Sequence, residues 1–406
     1  MKRRLFNEIS QFSLTCKDND DVWFIGENYS LIFQAELKDC SIKKIIRIKD
    51  EELMQFRRYW KLVKVKSKLV LIPINSDKIV IFHLDREEFS YIYLNKSTAN
   101  CMNCVKQEGR IYLISDPEII VIDIEKETIE EYIPIPANGK VNSMAAILVE
   151  EHIFIPLMFQ AAVIDFYLPE RSFSYTYLDC GANGFVAGVF DGEEIWLAGD
   201  NGNIVCWNCV SNKFTVYDQT PEDFESFNYD KKGNFVTWGS GWRPGVCFKF
   251  WYDCFLLDKK IWFIPFLSDS LLYIDKRDHG VYKFTFDNER ETEISMKNRP
   301  SRKFMFVGIQ QKRYIKIYSM KRNMIYSIDS VTLLYKEERF LIDTVDMRTI
   351  EKEFFKTLFE KGVRERVLEG RNISIEELIC LVEGEGRELH EDMQCWGVGA
   401  QIYHMI

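Results

Sequence analysis

One short pattern recurs seven times along this chain: a polar or charged residue, a β-former, then alternating apolar positions that often run into Pro or Gly. It is seen in Asp21-Val22-Trp23-Phe24-Ile25-Gly26, Lys68-Leu69-Val70-Leu71-Ile72-Pro73, Arg110-Ile111-Tyr112-Leu113-Ile114-Ser115 and His152-Ile153-Phe154-Ile155-Pro156. It returns in Glu194-Ile195-Trp196-Leu197-Ala198-Gly199, Lys260-Ile261-Trp262-Phe263-Ile264-Pro265 and Arg313-Tyr314-Ile315-Lys316-Ile317-Tyr318. The second positions are Val22, Leu69, Ile111, Ile153, Ile195, Ile261 and Tyr314, so four of the seven follow one another at one constant interval. A period of roughly 40–50 residues means an architecture built by repetition, so it takes precedence over any local reading.

Two further columns keep the period. Upstream of the strand pattern, Ala99-Asn100-Cys101-Met102, Val141-Asn142-Ser143-Met144 and Ala182-Asn183-Gly184-Phe185 recur at the same interval to within one position. Downstream, Ile122-Asp123, Ile164-Asp165, Ile274-Asp275 and Ile328-Asp329 each precede a turn and then a β-rich run such as 173–177. Each unit thus holds four short strands. A single twisted sheet of that size cannot bury both its faces, and stacking such units around an axis solves the problem. The expectation is an all-β, seven-bladed β-propeller with blades centred on 11–48, 58–95, 99–136, 141–179, 182–218, 247–287 and 303–338. Two β-sandwiches would also alternate, but they do not require a common period.

These columns resemble the broad superfamily of divergent bacterial propellers of the WD40-like, YVTN-like or quinoprotein-like kind. The resemblance covers residues 11–338 and rests on the Ile-Asp column and the strand spacing. The Gly-His and Trp-Asp pairs of true WD40 repeats are missing, as is the Gly-Gly of Kelch blades, so the resemblance implies a fold and no particular activity.

The period is broken twice. The interval from Ile195 to Ile261 is much longer than its neighbours, and its excess falls between Asp218 and Gly245. A hairpin insertion over about 219–246 accounts for it, with strands at 224–230 and 234–239 around Lys231-Lys232-Gly233. A partial eighth blade is the alternative, because Phe235 follows Ile195 by close to one repeat. Beyond Glu338, Ile350, Phe354 and Leu358, with Phe355, Phe359 and Val363, fall at helical spacing. Ser374-Ile375-Glu376-Glu377 then forms a capping box before Leu378, Ile379, Leu381 and Val382. The expected organisation is a propeller over 1–343 and a helical C-terminal extension over 344–406. The extension is expected to pack its stripe on the propeller, or alternatively to serve as a partner-binding helix.

Lys and Arg number 53 against 62 Asp and Glu, a net charge of −9 that disfavours nucleic-acid binding through phosphate neutralisation. The local basic patch Lys61, Lys64, Lys66, Lys68 is expected to be the polar face of an edge strand. No apolar leader follows the basic start, and no run of about 18 apolar residues occurs, so no membrane association is expected. Eleven cysteines, an odd number, read as reduced thiols in a cytoplasmic protein.

The chemistry-bearing residues are sparse. Cys101-Met102-Asn103-Cys104 and Cys206-Trp207-Asn208-Cys209 have zinc-knuckle spacing, yet both fall on expected strands, where residues three apart face opposite sides and cannot converge on a metal. The five histidines are scattered, with no HExxH motif, and no Walker, Rossmann or Gly-x-Ser-x-Gly pattern is present. Neither a metal nor a cofactor is expected. The Asp of each Ile-Asp pair is expected to cap its turn through a backbone N–H.

Two groups remain as ligand-binding candidates. Asn100, Asn142 and Asn183 should enter the channel mouth where first strands begin, or else make local turns. Trp238, Trp242 and Arg243, amid three glycines, have the composition of a binding hot spot, or else plug a blade seam. The function expected from these residues is non-catalytic: a binding or scaffold propeller that recognises a partner protein or peptide. The rivals are an enzyme with its site in the channel mouth (lyase, lactonase or peptide-modifying) and a carbohydrate-recognition module that binds a glycan.

Overall fold

The structure is a computed structural model and describes residues 2–4, 15–26, 29–53, 58–74, 76–94, 103–136, 139–222, 224, 251–265, 268–289, 304–320, 322–343, 346, 349 and 350. Seven four-stranded antiparallel sheets follow one another along the chain, at residues 16–47, 59–93, 103–134, 147–177, 185–217, 251–285 and 304–338, and are called blades 1 to 7 here. Every sheet runs in simple sequence order. The first strands of neighbouring blades approach one another, as Cys16–Asp18 does Tyr59–Val65 and Phe185–Phe190 does Trp251–Leu257, so they surround the central axis. The seven expected blades are observed, in the expected order, within the described residues.

Period-2 side-chain alternation divides the core among the seams between blades. In the second strand of blade 2, Lys68–Pro73, Leu69 and Leu71 enter a cluster with Trp23 and Ile32 of blade 1. Val70 and Ile72, pointing the other way, join Ile111 and Leu113 of blade 3. Both faces of a middle strand are therefore buried, which explains its unbroken apolar runs. The seams from blade 6 through blade 7 to blade 1 form one aromatic-rich cluster, with the Phe286 and Tyr326 rings stacked at 4.1 Å between centroids.

The turns show why the downstream column carries Asp. Asp123 Oδ1 accepts the N–H groups of Glu125 and Lys126 at 2.9 and 3.0 Å, Asp275 that of Arg277 at 3.0 Å, and Asp329 those of Val331 and Thr332 at 2.9 and 3.3 Å. Asp165 departs from this role and bonds His152 Nδ1 at 2.8 Å.

Each blade is one continuous stretch of chain, so the ring closes through side chains and an added strand pair. Thr15 Oγ1 and Lys17 Nζ donate to the Val307 and Ile309 carbonyls of blade 7, both at 2.7 Å. Lys2–Arg4 pairs antiparallel with Leu341–Asp343, and Leu341 N–H reaches Cys40 C=O of blade 1 at 3.0 Å.

Of the basic patch, Lys61 and Lys64 do lie on an edge strand, the innermost strand Tyr59–Val65 of blade 2, whereas Lys66 lies in its first turn and Lys68 at the start of its second strand, which is not an edge. The outer edge strand of that blade is Glu88–Tyr93. The hairpin insertion at 219–246, or partial eighth blade, lies outside the described residues except for 219–222 and Phe224. The helical extension at 344–406 does so except for Asp346, Thr349 and Ile350. Ile350, the first residue of the expected stripe, is buried in the cluster that holds Phe340 and Ile342. Among the described residues the one delimited helix is the 3-10 turn Ser143–Ala145, and no helix is long and apolar enough to cross a membrane.

Candidate functional site

The channel has two ends: an upper one, where first strands begin, and a lower one, where they turn into second strands. At the upper end Asn142 caps the turn Ser143–Ala145, its Oδ1 accepting Met144 N–H at 3.1 Å. Its Nδ2 donates across the seam to Phe185 C=O of blade 5 at 2.6 Å, and the side chain is buried. Asn183 instead turns back into its own blade, where its N–H and Nδ2 meet the two Asp200 carboxylate oxygens at 3.0 and 3.4 Å. Burial pushes the Asp200 carboxyl up, and the Asn183 N–H opposes the shift. The two amides thus turn in different directions, one across a seam and one into its own blade. Asn100, Trp238, Trp242 and Arg243 lie outside the described residues.

A residue passed over in the sequence does more at this end. Asn103 Oδ1 takes the Lys61 ammonium of blade 2 and its neighbour's N–H, from Cys104, at 2.9 Å. Its Nδ2 donates to Met144 C=O, leading to blade 4, at 3.1 Å. Lys61, Asn103 and Asn142 thus carry one polar chain across the seams from blade 2 to blade 5. The signal was the period itself, since Lys61 and Asn103 stand one repeat apart.

The lower end is built on another shared register. Lys17, Lys64 and Lys106 each sit one residue before the pair that closes the first hairpin, in blades 1, 2 and 3. The same position is Leu148 in blade 4, Leu256 in blade 6 and, around a wider turn, Ile309 in blade 7. In blade 5 it is Phe190, next to the Asp191–Glu194 pair. At this one register the residues of blades 1 to 3 are basic and those of blades 4 to 7 apolar. Lys17 Nζ lies on the Ile309 carbonyl at 2.7 Å and Lys106 Nζ on that of Lys64 at 3.1 Å, while Lys64 Nζ pairs with Asp18 Oδ1 at 2.6 Å.

No protein-family model matches the chain, and no curated protein matches it. Solved structures do. The virginiamycin B lyase from Staphylococcus aureus is similar with a TM-score of 0.55 at 10% identity, over 79% of this chain and 95% of the lyase chain. The RRP9 WD40 repeats give 0.53 at 11% identity over 81% and 90% of the two chains, respectively. The computationally designed Ika8 protein gives 0.53 at 9% over 82% and 89%. The chain is a divergent β-propeller. At such identities the likeness shows the fold alone, and neither lyase chemistry nor the partners of WD40 proteins pass to this propeller by it.

Several further charged groups among the described residues pair across seams. Lys276 of blade 6 pairs with buried Asp191 of blade 5 at 2.6 Å, and Lys68 of blade 2 with Glu127 of blade 3 at 2.7 Å. Burial pushes the Cys16, Cys180, Cys206, Cys209 and Cys254 thiols up, and Cys40 to about 12, which is opposite to what a thiolate nucleophile or zinc ligand requires. Cys206 and Cys209 are both free thiols, and Cys101 lies outside the described residues. Among the described residues no group of His, Cys, Asp and Glu converges as metal ligands.

Proposed function

We propose that this propeller is a non-catalytic binding or scaffold protein that recognises a partner protein or peptide in a cytoplasmic setting. The observation that carries the reading is that polar side chains at both ends of the channel run sideways into neighbouring blades. Asn103 and Asn142 bond carbonyls across seams, as do Lys17 and Lys106. An acid–base site needs such groups to converge on a common point within hydrogen-bond reach of a substrate. A rigid disc whose side chains are fixed in this way has its faces and loops available for recognition.

Trp238, Trp242 and Arg243 are the recognition residues proposed on the insertion, with Asn100, Asn142 and Asn183 beside the same channel end. A partner isolated with the full chain and then purified should bind it stoichiometrically in calorimetry. Replacing Trp242 and Arg243 together by Ala should weaken that binding by about 2 kcal/mol or more. Undiminished binding by the folded double variant would exclude the loop. If no protein co-elutes with the full chain, the partner-binding reading itself fails.

A further inference from the structure

We propose that the lower mouth of the channel is a docking site for an acidic, amphipathic peptide segment of a partner protein, with its carboxylates on the Lys17–Lys64–Lys106 arc and its apolar side chains on the opposite half of the rim. The proposal deepens the partner-binding reading and rests on it.

Elsewhere on the lower side of the disc, buried Lys260 donates to the Ser330 carbonyl at 2.9 Å, while several lysines meet carboxylates, as Lys276 does Asp191, Lys68 Glu127 and Lys66 Glu125. Lys17 and Lys106 do not. Each is exposed, each rests on a single backbone carbonyl, and neither has a carboxylate within ion-pair distance among the described residues. A carbonyl occupies one of the three donors of an ammonium and leaves the full positive charge in place. Lys17 and Lys106 flank the Lys64–Asp18 pair, so the arc keeps an excess of positive charge in a chain of net charge −9. A carboxylate-bearing ligand neutralises that excess.

The second half of the rim decides what kind of anion fits. Leu148, Phe190, Leu256 and Ile309 are half-buried, each packed against a seam core on one side with apolar surface remaining on the other. A nucleic-acid backbone has no apolar face to set against them, whereas a peptide that alternates acidic and aliphatic residues has both.

The test uses fluorescence anisotropy of a labelled peptide of alternating Leu and Glu against the full chain. A Leu/Gln peptide and labelled oligothymidine serve as comparison probes. The variant Lys17→Gln with Lys106→Gln keeps the Lys64–Asp18 pair, and Lys17→Arg with Lys106→Arg restores the charge; circular dichroism melts check that both fold. The Leu/Glu peptide should bind, the Leu/Gln peptide should bind at least about tenfold more weakly, and the Gln variant should lose at least about tenfold while the Arg variant retains affinity. The proposal is overturned by absent binding of the Leu/Glu peptide, by an unchanged Gln variant, or by oligothymidine binding as tightly as the peptide. It is also overturned, in favour of an intramolecular occupant, by carbodiimide cross-links from Lys17 or Lys106 to residues 376–392, which contain seven Asp and Glu and one Arg. A co-purifying partner that binds the Gln variant as tightly as the native chain removes this site and leaves the partner-binding reading standing.

Discussion

Gly184 and Asn142 illustrate how single residues at the upper end of the channel hold neighbouring blades together. A Cβ on Gly184 would lie 2.8 Å from the Leu157 carbonyl oxygen and closer still to that of Met158, both belonging to the blade before it. Backbone cannot give way as a flexible side chain can. Gly184→Ala is expected to cost about 1–3 kcal/mol, read as a lower urea midpoint at unchanged slope. Asn142→Ala removes a cap and a buried bond to Phe185 together, and should cost about 1–2 kcal/mol in the same measurement. A midpoint unchanged by Asn142→Ala would mean that its amide is available to a ligand.

At the scale of the element, the Asp of the third-to-fourth strand turn has a role that pH can expose. The Arg277 guanidinium, aided by the Arg277 N–H, holds the Asp275 carboxyl down from 3.8 to about 2. Lys126 does the same for Asp123, also to about 2. A carboxyl whose folded pKa is depressed contributes stability above its unfolded pKa, and that contribution is lost as pH falls toward the folded value, here between about pH 4 and 2. Asp275→Asn keeps an acceptor for the turn N–H but cannot ionise. Urea midpoints measured across that window should fall less steeply in this variant than in the native chain. Parallel slopes would show that the pair with Arg277 contributes nothing to acid stability. Exposed Lys126 and Arg277 are screened by solvent, so added salt should flatten the native slope.

The whole molecule depends on closing a ring in which no blade combines strands from both chain ends. Lys316, fully buried in blade 7, is paired with Glu338, which also accepts from the Cys40 thiol of blade 1 at 3.6 Å. Glu338→Ala strands a buried ammonium and should destabilise by about 3–5 kcal/mol, and adding Lys316→Met should recover much of that loss. A double variant as unstable as the single would locate the cost elsewhere. The number and order of the blades, the burial of both faces of each middle strand and the turns of Asp123, Asp275 and Asp329 were legible in the sequence, though not the different role of Asp165. They depend on local periodicity, turn chemistry and nearest-neighbour stacking, each of which leaves a mark within a single repeat or the next. The polar contacts were not legible in the same way. Asn142 and Asn183 share a sequence column, yet one crosses a seam and the other folds back, because the first sits on a 3-10 turn and the second precedes a bulged strand. Lys17, Lys64 and Lys106 keep the repeat, but a lysine on a strand has the same local pattern at an edge as on an axis. Only the closing of seven sheets around that axis sets three such side chains side by side, facing four apolar ones, because that juxtaposition depends on the rotation from blade to blade, which no window of sequence records.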